Sequence, residues 1–134
     1  MGHWEELEHT ADLALRVWGD DLADLFATTA SGMFAHVGLP DRDSNPFTHK
    51  LELSAPDVET LLVDWLNELL YLHETRRRIF TEYRFEAISR SHLRATAEAY
   101  PIREYRTHIK AATFHCLEVE AEVGGYRTDI VFDV

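Results

Sequence analysis

The sequence predicts an α+β domain with a largely antiparallel sheet and two helices covering one of its faces. Three observations carry that reading. Two segments before Arg76 repeat apolar residues at helical spacing, and the chain after Arg78 changes to alternating, strand-like segments. Nothing between them reads as a linker, a repeat or a low-complexity tract. The 134 residues, 46 % of them hydrophobic, suit a single domain spanning residues 1–134 with a core of its own. The predicted order of elements is ββαβαββββ.

The first strand pair is expected at Trp4–Glu8 and Leu13–Trp18. In the second, Leu13, Leu15 and Val17 alternate with Ala14 and Arg16, the period of a half-buried strand. Gly19-Asp20-Asp21 stops it and offers an acidic cap to a helix carrying Leu22, Leu25, Phe26, Ala30, Met33 and Phe34. Gly38 and Pro40 end that helix, and a polar loop at 41–46 leads to a strand around Thr48–Leu53. Ser54-Ala55-Pro56-Asp57 supplies a cap, an early proline and an acidic first turn for the second helix. Val58, Leu61, Leu62, Trp65, Leu66, Leu69, Leu70 and Leu72 leave so much of its circumference apolar that it must be deeply packed, Trp65 included. Arg76, Arg77 and Arg78 complement the dipole at its C-terminal end. Four strands follow, at Phe80–Ser89, His92–Tyr100, Ile109–Ala121 and Tyr126–Val134, with Gly124-Gly125 as the last hairpin turn.

Thirteen basic against 24 acidic residues give a net charge of −11. Broad nucleic-acid binding, which neutralises phosphates with cations, is therefore not expected. The mixture Arg103-Glu104-Tyr105-Arg106-Thr107-His108 could pair and stack with RNA, but reads first as a solvated loop. The lone Cys116 allows no internal disulfide and no cysteine-based zinc site, and its apolar surroundings suggest a small buried side chain. The eight histidines include no His-Glu-x-x-His and no pair at helical i, i+4 spacing. The acidic start of the chain resembles no secretory signal and no segment reaches membrane-spanning length, so the cytoplasm is the expected compartment.

The ending Asp129-Ile130-Val131-Phe132-Asp133-Val134 is the most suggestive stretch. With Ile130 and Phe132 inward, Asp129, Val131 and Asp133 face the other way, and Val134 adds its α-carboxylate. Asp12 lies on the polar face of its own alternation. If its strand pairs antiparallel with the last, Asp12, Asp133 and Val134 converge into an all-oxygen cluster suited to a hard divalent cation. Spacing alone leaves the other reading open, in which Asp12 caps a turn and Asp133 is solvated.

Three stretches, in order along the chain, resemble the archease family. They are His9-Thr10-Ala11-Asp12-Leu13 with Trp18-Gly19, then Leu61-Leu62-Val63-Asp64-Trp65-Leu66-Asn67-Glu68-Leu69-Leu70-Tyr71-Leu72, then Ile109-Lys110-Ala111-Ala112-Thr113-Phe114-His115 with Asp133-Val134. The resemblance implies a non-catalytic protein that assists an RtcB-type RNA ligase in tRNA splicing and RNA repair. Such a protein promotes guanylylation and multiple turnover of the ligase. It further implies a divalent cation, calcium first and magnesium or manganese as alternatives, on Asp12, Asp133 and Val134. Lys110 falls among the family's functional polar residues, so it is expected to serve ligase activation. Ala112-Thr113-Phe114-His115 and Ala97-Glu98 depart from the family's usual Val-Thr-Tyr-His and Gly-Glu.

Two other classes of function compete with that expectation. One is a metal-dependent hydrolase using Asp12 and Asp133, although the chain has no P-loop and no Gly-x-Ser-x-Gly. The other is a general chaperone or scaffold, for which Asp12 should hardly matter.

Overall fold

Both helices start on an aspartate. In α1 (Leu22–Val37) the Asp21 carboxylate accepts the Asp24 N–H at 2.7 Å, and in α2 (Val58–Arg76) Asp57 accepts that of Thr60 at 2.7 Å. The computed structural model describes residues 1–8 and 12–134. Its strands are β1 (His3–Leu7), β2 (Leu13–Gly19), β3 (Gly38–Pro40), β4 (Phe47–Ser54), β5 (Arg78–Ile88), β6 (His92–Tyr105), β7 (Ala111–Ala112), β8 (Val119–Glu122) and β9 (Gly125–Asp133).

The α+β class, the antiparallel pairing and the two helices agree with the sequence. The strands divide over two sheets, each covered by helix on its inner face. In one, β9 lies between β2 and β7 and also pairs β8, with β1 outside β2; in the other, β6 pairs β3, β4 and β5. Helix α1 packs against β2 on one side and β5 on the other, and α2 packs against β7, β4 and β5. Alternation cannot reveal this division, because a strand buries every second residue whichever sheet it joins.

Two short strands are added to the predicted order. Gly38–Pro40, read as a helix stop, pairs with β6. The expected strand Ile109–Ala121 breaks into β7 and β8 around a turn in which Leu117 N–H donates to the Phe114 carbonyl at 3.0 Å and Cys116 has φ 51°. That turn carries Cys116 outward, so the thiol is exposed rather than buried. The last hairpin is as expected: Gly124 has φ 86°, a conformation open to glycine. A Cβ on Gly125 would lie 2.1 Å from the Gly19 carbonyl oxygen, so the turn also needs glycine where it passes β2.

The core joins both sheets and both helices in one cluster that includes Leu15, Phe26, Met33, Trp65, Phe80 and Phe132. No helix among the described residues is long and apolar enough to cross a membrane.

Two imidazoles inside this frame make stability depend on pH. Burial pushes His49 and His73 below their ordinary value; the Arg78 and Arg76 charges add to this at His49. At His73, Arg77 and His108 also oppose protonation, whereas the Arg78 carbonyl and Glu74 favour it. The unfolded chain takes up protons at these sites as pH falls through 6.5 while the folded chain resists. Stability present above that value is therefore lost below it. The lowered carboxyls of Asp41, Asp57, Glu86 and Asp129 act in a separate window, losing stability only as pH falls through and below the ordinary carboxylate range. Thermal melts should show a lower Tm at about pH 5.5 than at about pH 7.5. His73→Gln should flatten that difference.

Candidate metal centre

β9 brings the two ends of the first sheet together. It pairs with β2 through Leu13↔Phe132 and with β7 through Ala111↔Asp133 and Ala112↔Phe132. The burial of Leu13, Leu15, Ile130 and Phe132 sets the parity: these residues face the helices, and the intervening ones face outward. On that outer face Arg16 grips Asp129 through Nε at 2.9 Å and Nη2 at 3.0 Å. The guanidinium holds the Asp129 carboxyl below its usual range, which commits this carboxylate to an ion pair.

Asp12 is a half-buried bend residue directly before β2, and Asp133 is the exposed last residue of β9. They stand at the same end of two neighbouring antiparallel strands, whose spacing is about 4.8 Å. Across the other edge of β9, the Lys110 N–H donates to the Asp133 carbonyl at 2.8 Å. Asp12, Lys110, Asp133 and Val134 are thus gathered at one end of three adjacent strands. His9 and Thr10, expected to shape the turn before Asp12, lie outside the described residues.

The donor chemistry at this end fits a hard cation. Both side-chain donors are carboxylates, Asp12 half-buried and Asp133 exposed, and carboxylate oxygen is what a hard cation takes. Among the described residues no three His, Cys, Asp or Glu side chains cluster as a metal site. A cation at this end would therefore need main-chain oxygen, such as that of Val134, or water beside the two side-chain carboxylates.

The support beneath this end comes from α2. Asn67 Oδ1 accepts the Ala112 N–H at 2.8 Å, and its Nδ2 donates to the Ala112 carbonyl at 3.4 Å. One side chain thereby clamps the two-residue strand β7 that carries Lys110 alongside Asp133. In the first turn of α2, Glu59 accepts the Val119 N–H at 2.9 Å and anchors β8. On β9's side of the clamp, Thr113 bonds the Val131 carbonyl through both its N–H, at 3.0 Å, and its hydroxyl, at 2.9 Å. The sequence reading passed over Asn67 as a support. Its signal is a polar amide between Leu66 and Leu69 in the middle of a helix rich in leucine.

Residues 4–134 match the archease protein family (MTH1598/TM1083). The chain belongs to the archease family. It is 34 % identical to the protein archease of Methanosarcina mazei, over 98 % of this chain and 95 % of that one. Identity to the Methanosarcina acetivorans archease is 35 %, with the same coverage. The solution structure of Methanobacterium thermoautotrophicum protein 1598 superposes with a TM-score of 0.71 at 26 % identity, covering 98 % of each chain. A crystal structure of an archease, possible chaperone, from Thermotoga maritima gives a TM-score of 0.69 at 24 % identity, covering 97 % of this chain and 96 % of that one, and shares the fold. Two of the three stretches that carry the family resemblance meet in space here: the second supplies Asn67, and the third supplies the Ala112 that Asn67 holds.

Proposed function

We propose that this chain is a cytoplasmic, non-catalytic activator of an RtcB-type RNA ligase, promoting its guanylylation and multiple turnover in tRNA splicing and RNA repair. In this reading Asp12, Asp133 and Val134 hold a divalent cation, calcium first, with magnesium or manganese as alternatives. The observation that supports it is the meeting of Asp12, Asp133 and Lys110 at one end of three adjacent strands. Bound there, the cation supplies positive charge that the two carboxylates alone lack. The carboxylates orient this end of the domain, and Lys110, held by its backbone to Asp133, offers an ammonium to a phosphate or acidic group of the ligase. A net charge of −11 suits a protein that engages a metal- and phosphate-handling partner better than one that holds RNA itself.

Calorimetry with calcium should detect binding to the intact chain. Asp12→Ala or Asp133→Ala should weaken it by at least the roughly 100-fold that losing even an outer-sphere partner can cause. Equal affinity in all three proteins would remove the site. The function itself is tested by reconstitution: excess RNA over ligase, guanine nucleotide, divalent metal and substoichiometric amounts of this chain. Ligase–nucleotide adduct and joined RNA should both rise, Asp12→Ala should raise neither, and Lys110→Ala should stimulate less while keeping its Tm. A ligase that turns over equally well without the chain defeats the proposal. Product formed without ligase would favour a hydrolase or another enzyme. Protection of unrelated proteins that is indifferent to Asp12 would favour the chaperone role suggested by the name of the Thermotoga maritima protein.

A further inference from the structure

At the C-terminal end of α2 a second constellation is assembled from stretches far apart in sequence. His73, Glu74 and Arg77 from the helix end and Tyr105 and His108 from β6 and the segment after it line a cleft of about 270 Å³. His73 is only 3 % exposed and sits between the rings of Phe34, 5.8 Å away, and Tyr105, 5.6 Å away. Its Nδ1 lies 2.6 Å from the Arg78 carbonyl oxygen. A carbonyl only accepts, so Nδ1 carries the proton and the neutral ring leaves Nε2 as an acceptor. Nε2 has no partner among the described residues, yet no side-chain nitrogen or oxygen is buried unsatisfied. The Nε2 lone pair therefore opens into the cleft.

Arg77 stands at the rim in the left-handed conformation, with φ 58° and ψ 56°, as the C-cap of α2. Glycine is the usual residue in that conformation, because a Cβ is strained there. Arg77 lines the cleft, and its guanidinium has no ion-pair partner among the described residues. Tyr105 keeps 41 % of its surface exposed, and the His108 ring is held by Glu74 at 2.6 Å. Among the described residues Arg77 is the one arginine that lines the cleft: the Arg78 guanidinium lies over Phe47, and Arg106 pairs with Glu104.

We infer that this cleft binds a single nucleotide, its base stacked on Tyr105 and donating an N–H to His73 Nε2, its phosphate on Arg77. A bare anion suits the cleft poorly, since both the Nε2 lone pair and the Glu74 carboxylate would repel it. A nucleotide brings what the walls lack: every base has an N–H donor on its Watson–Crick edge, a planar face, and a phosphate beside it. A cleft of about 270 Å³ offers room for one ring, with the ribose and phosphate lying along its rim at Arg77. The ligand is either a free mononucleotide or the end nucleotide of an RNA strand. Weak, local binding is compatible with the acidic whole, because one phosphate is neutralised rather than many.

The test uses the full chain alone, without ligase or divalent metal, so its outcome is independent of the proposed activator role. Isotope-labelled protein is titrated with adenosine and guanosine 5′-monophosphate, with inorganic phosphate, and with a short single-stranded RNA. Saturable shifts at the His73 and Tyr105 rings are expected with nucleotide or RNA. Tighter binding of the RNA assigns a strand end, and equal binding assigns a free nucleotide. Arg77→Gly should weaken binding about tenfold, as loss of a charged hydrogen bond does, yet raise Tm by about 3 °C through relief of strain. Tyr105→Leu should weaken it about tenfold through lost stacking. No saturable shift with nucleotide or RNA, equal shifts with inorganic phosphate, or undiminished binding by Arg77→Gly would overturn the assignment.

Discussion

Trp65→Ala is expected to remove about 3–5 kcal/mol of stability, a large part of the roughly 5–15 kcal/mol that holds a domain folded. The indole is fully buried and touches two other elements. Its Nε1 donates to the Phe26 carbonyl of α1 at 3.1 Å, and its ring meets Phe85 at 5.0 Å and Tyr83 at 5.8 Å, both on β5. Truncation leaves a cavity where α1, α2 and the second sheet join, and no neighbour can fill it without shifting a backbone. Urea unfolding should show a lower midpoint with an unchanged slope. Trp65→Phe, which keeps most of the volume but not the donor, should lose much less. A loss below about 1.5 kcal/mol for the alanine variant, the range of conservative swaps, would mean that the helices do not pack as described.

Asn67→Ala should reduce calcium affinity about 10–100-fold without touching a ligand, the scale on which outer supports act on metal sites. Both its hydrogen bonds go to Ala112, and β7 has only two residues to hold its place beside β9. Without the amide, β7 loses its attachment to α2, and Lys110 loses its fixed place at the Asp133 carbonyl. The stability change should be modest, about 1–2 kcal/mol for an unmade pair of hydrogen bonds at a half-buried site. Asn67→Asp keeps the acceptor for the Ala112 N–H and should retain part of the effect. Calorimetry gives the affinity, and amide exchange at Ala112 reports the strand. Faster exchange at Ala112 with unchanged calcium affinity would separate β7 from the candidate centre.

The parts of this structure legible in the sequence are those set by local periodicity and chemistry. The acidic cap of α1, the buried faces of α1 and α2, and the parity that puts Ile130 and Phe132 inward follow from spacing alone; α2 starts later than expected, with Pro56 outside it and Asp57 as its cap. That parity, with one assumed pairing, was also enough to bring Asp12 towards Asp133, and β2 does pair with β9. Other features depend on bonds between remote residues. The break inside Ile109–Ala121 has no glycine, proline or asparagine to announce it; it follows from Thr113 bonding Val131 and from Cys116 in the left-handed region. The arginine run at 76–78 reads as a complement to the helix dipole, whereas the fold gives each residue a separate task. Arg76 ends α2, Arg77 caps it, and Arg78 begins β5 with its guanidinium over Phe47, 3.6 Å from the ring centre. Nor could Asn67 be matched to Ala112 by spacing, since 45 residues separate them.

The place of β9 in the first sheet also sets an order of events during folding. Everything in the second sheet lies between Gly38 and Tyr105, so its pairings close without the last strands of the chain. The hairpin β1–β2 waits for a partner from the far end of the chain: Arg16 and Asp129, which meet across β2 and β9, are 113 residues apart. Contacts of such long range pay their loop-closure entropy late. On the ribosome, α2 and the second sheet can assemble while Leu13, Leu15 and Val17 still face water, a nascent state with one apolar flank open to aggregation. Closure comes only when Ile130 and Phe132 emerge, so the strand that ends in Asp133 completes the first sheet in the same step in which it presents its carboxylate.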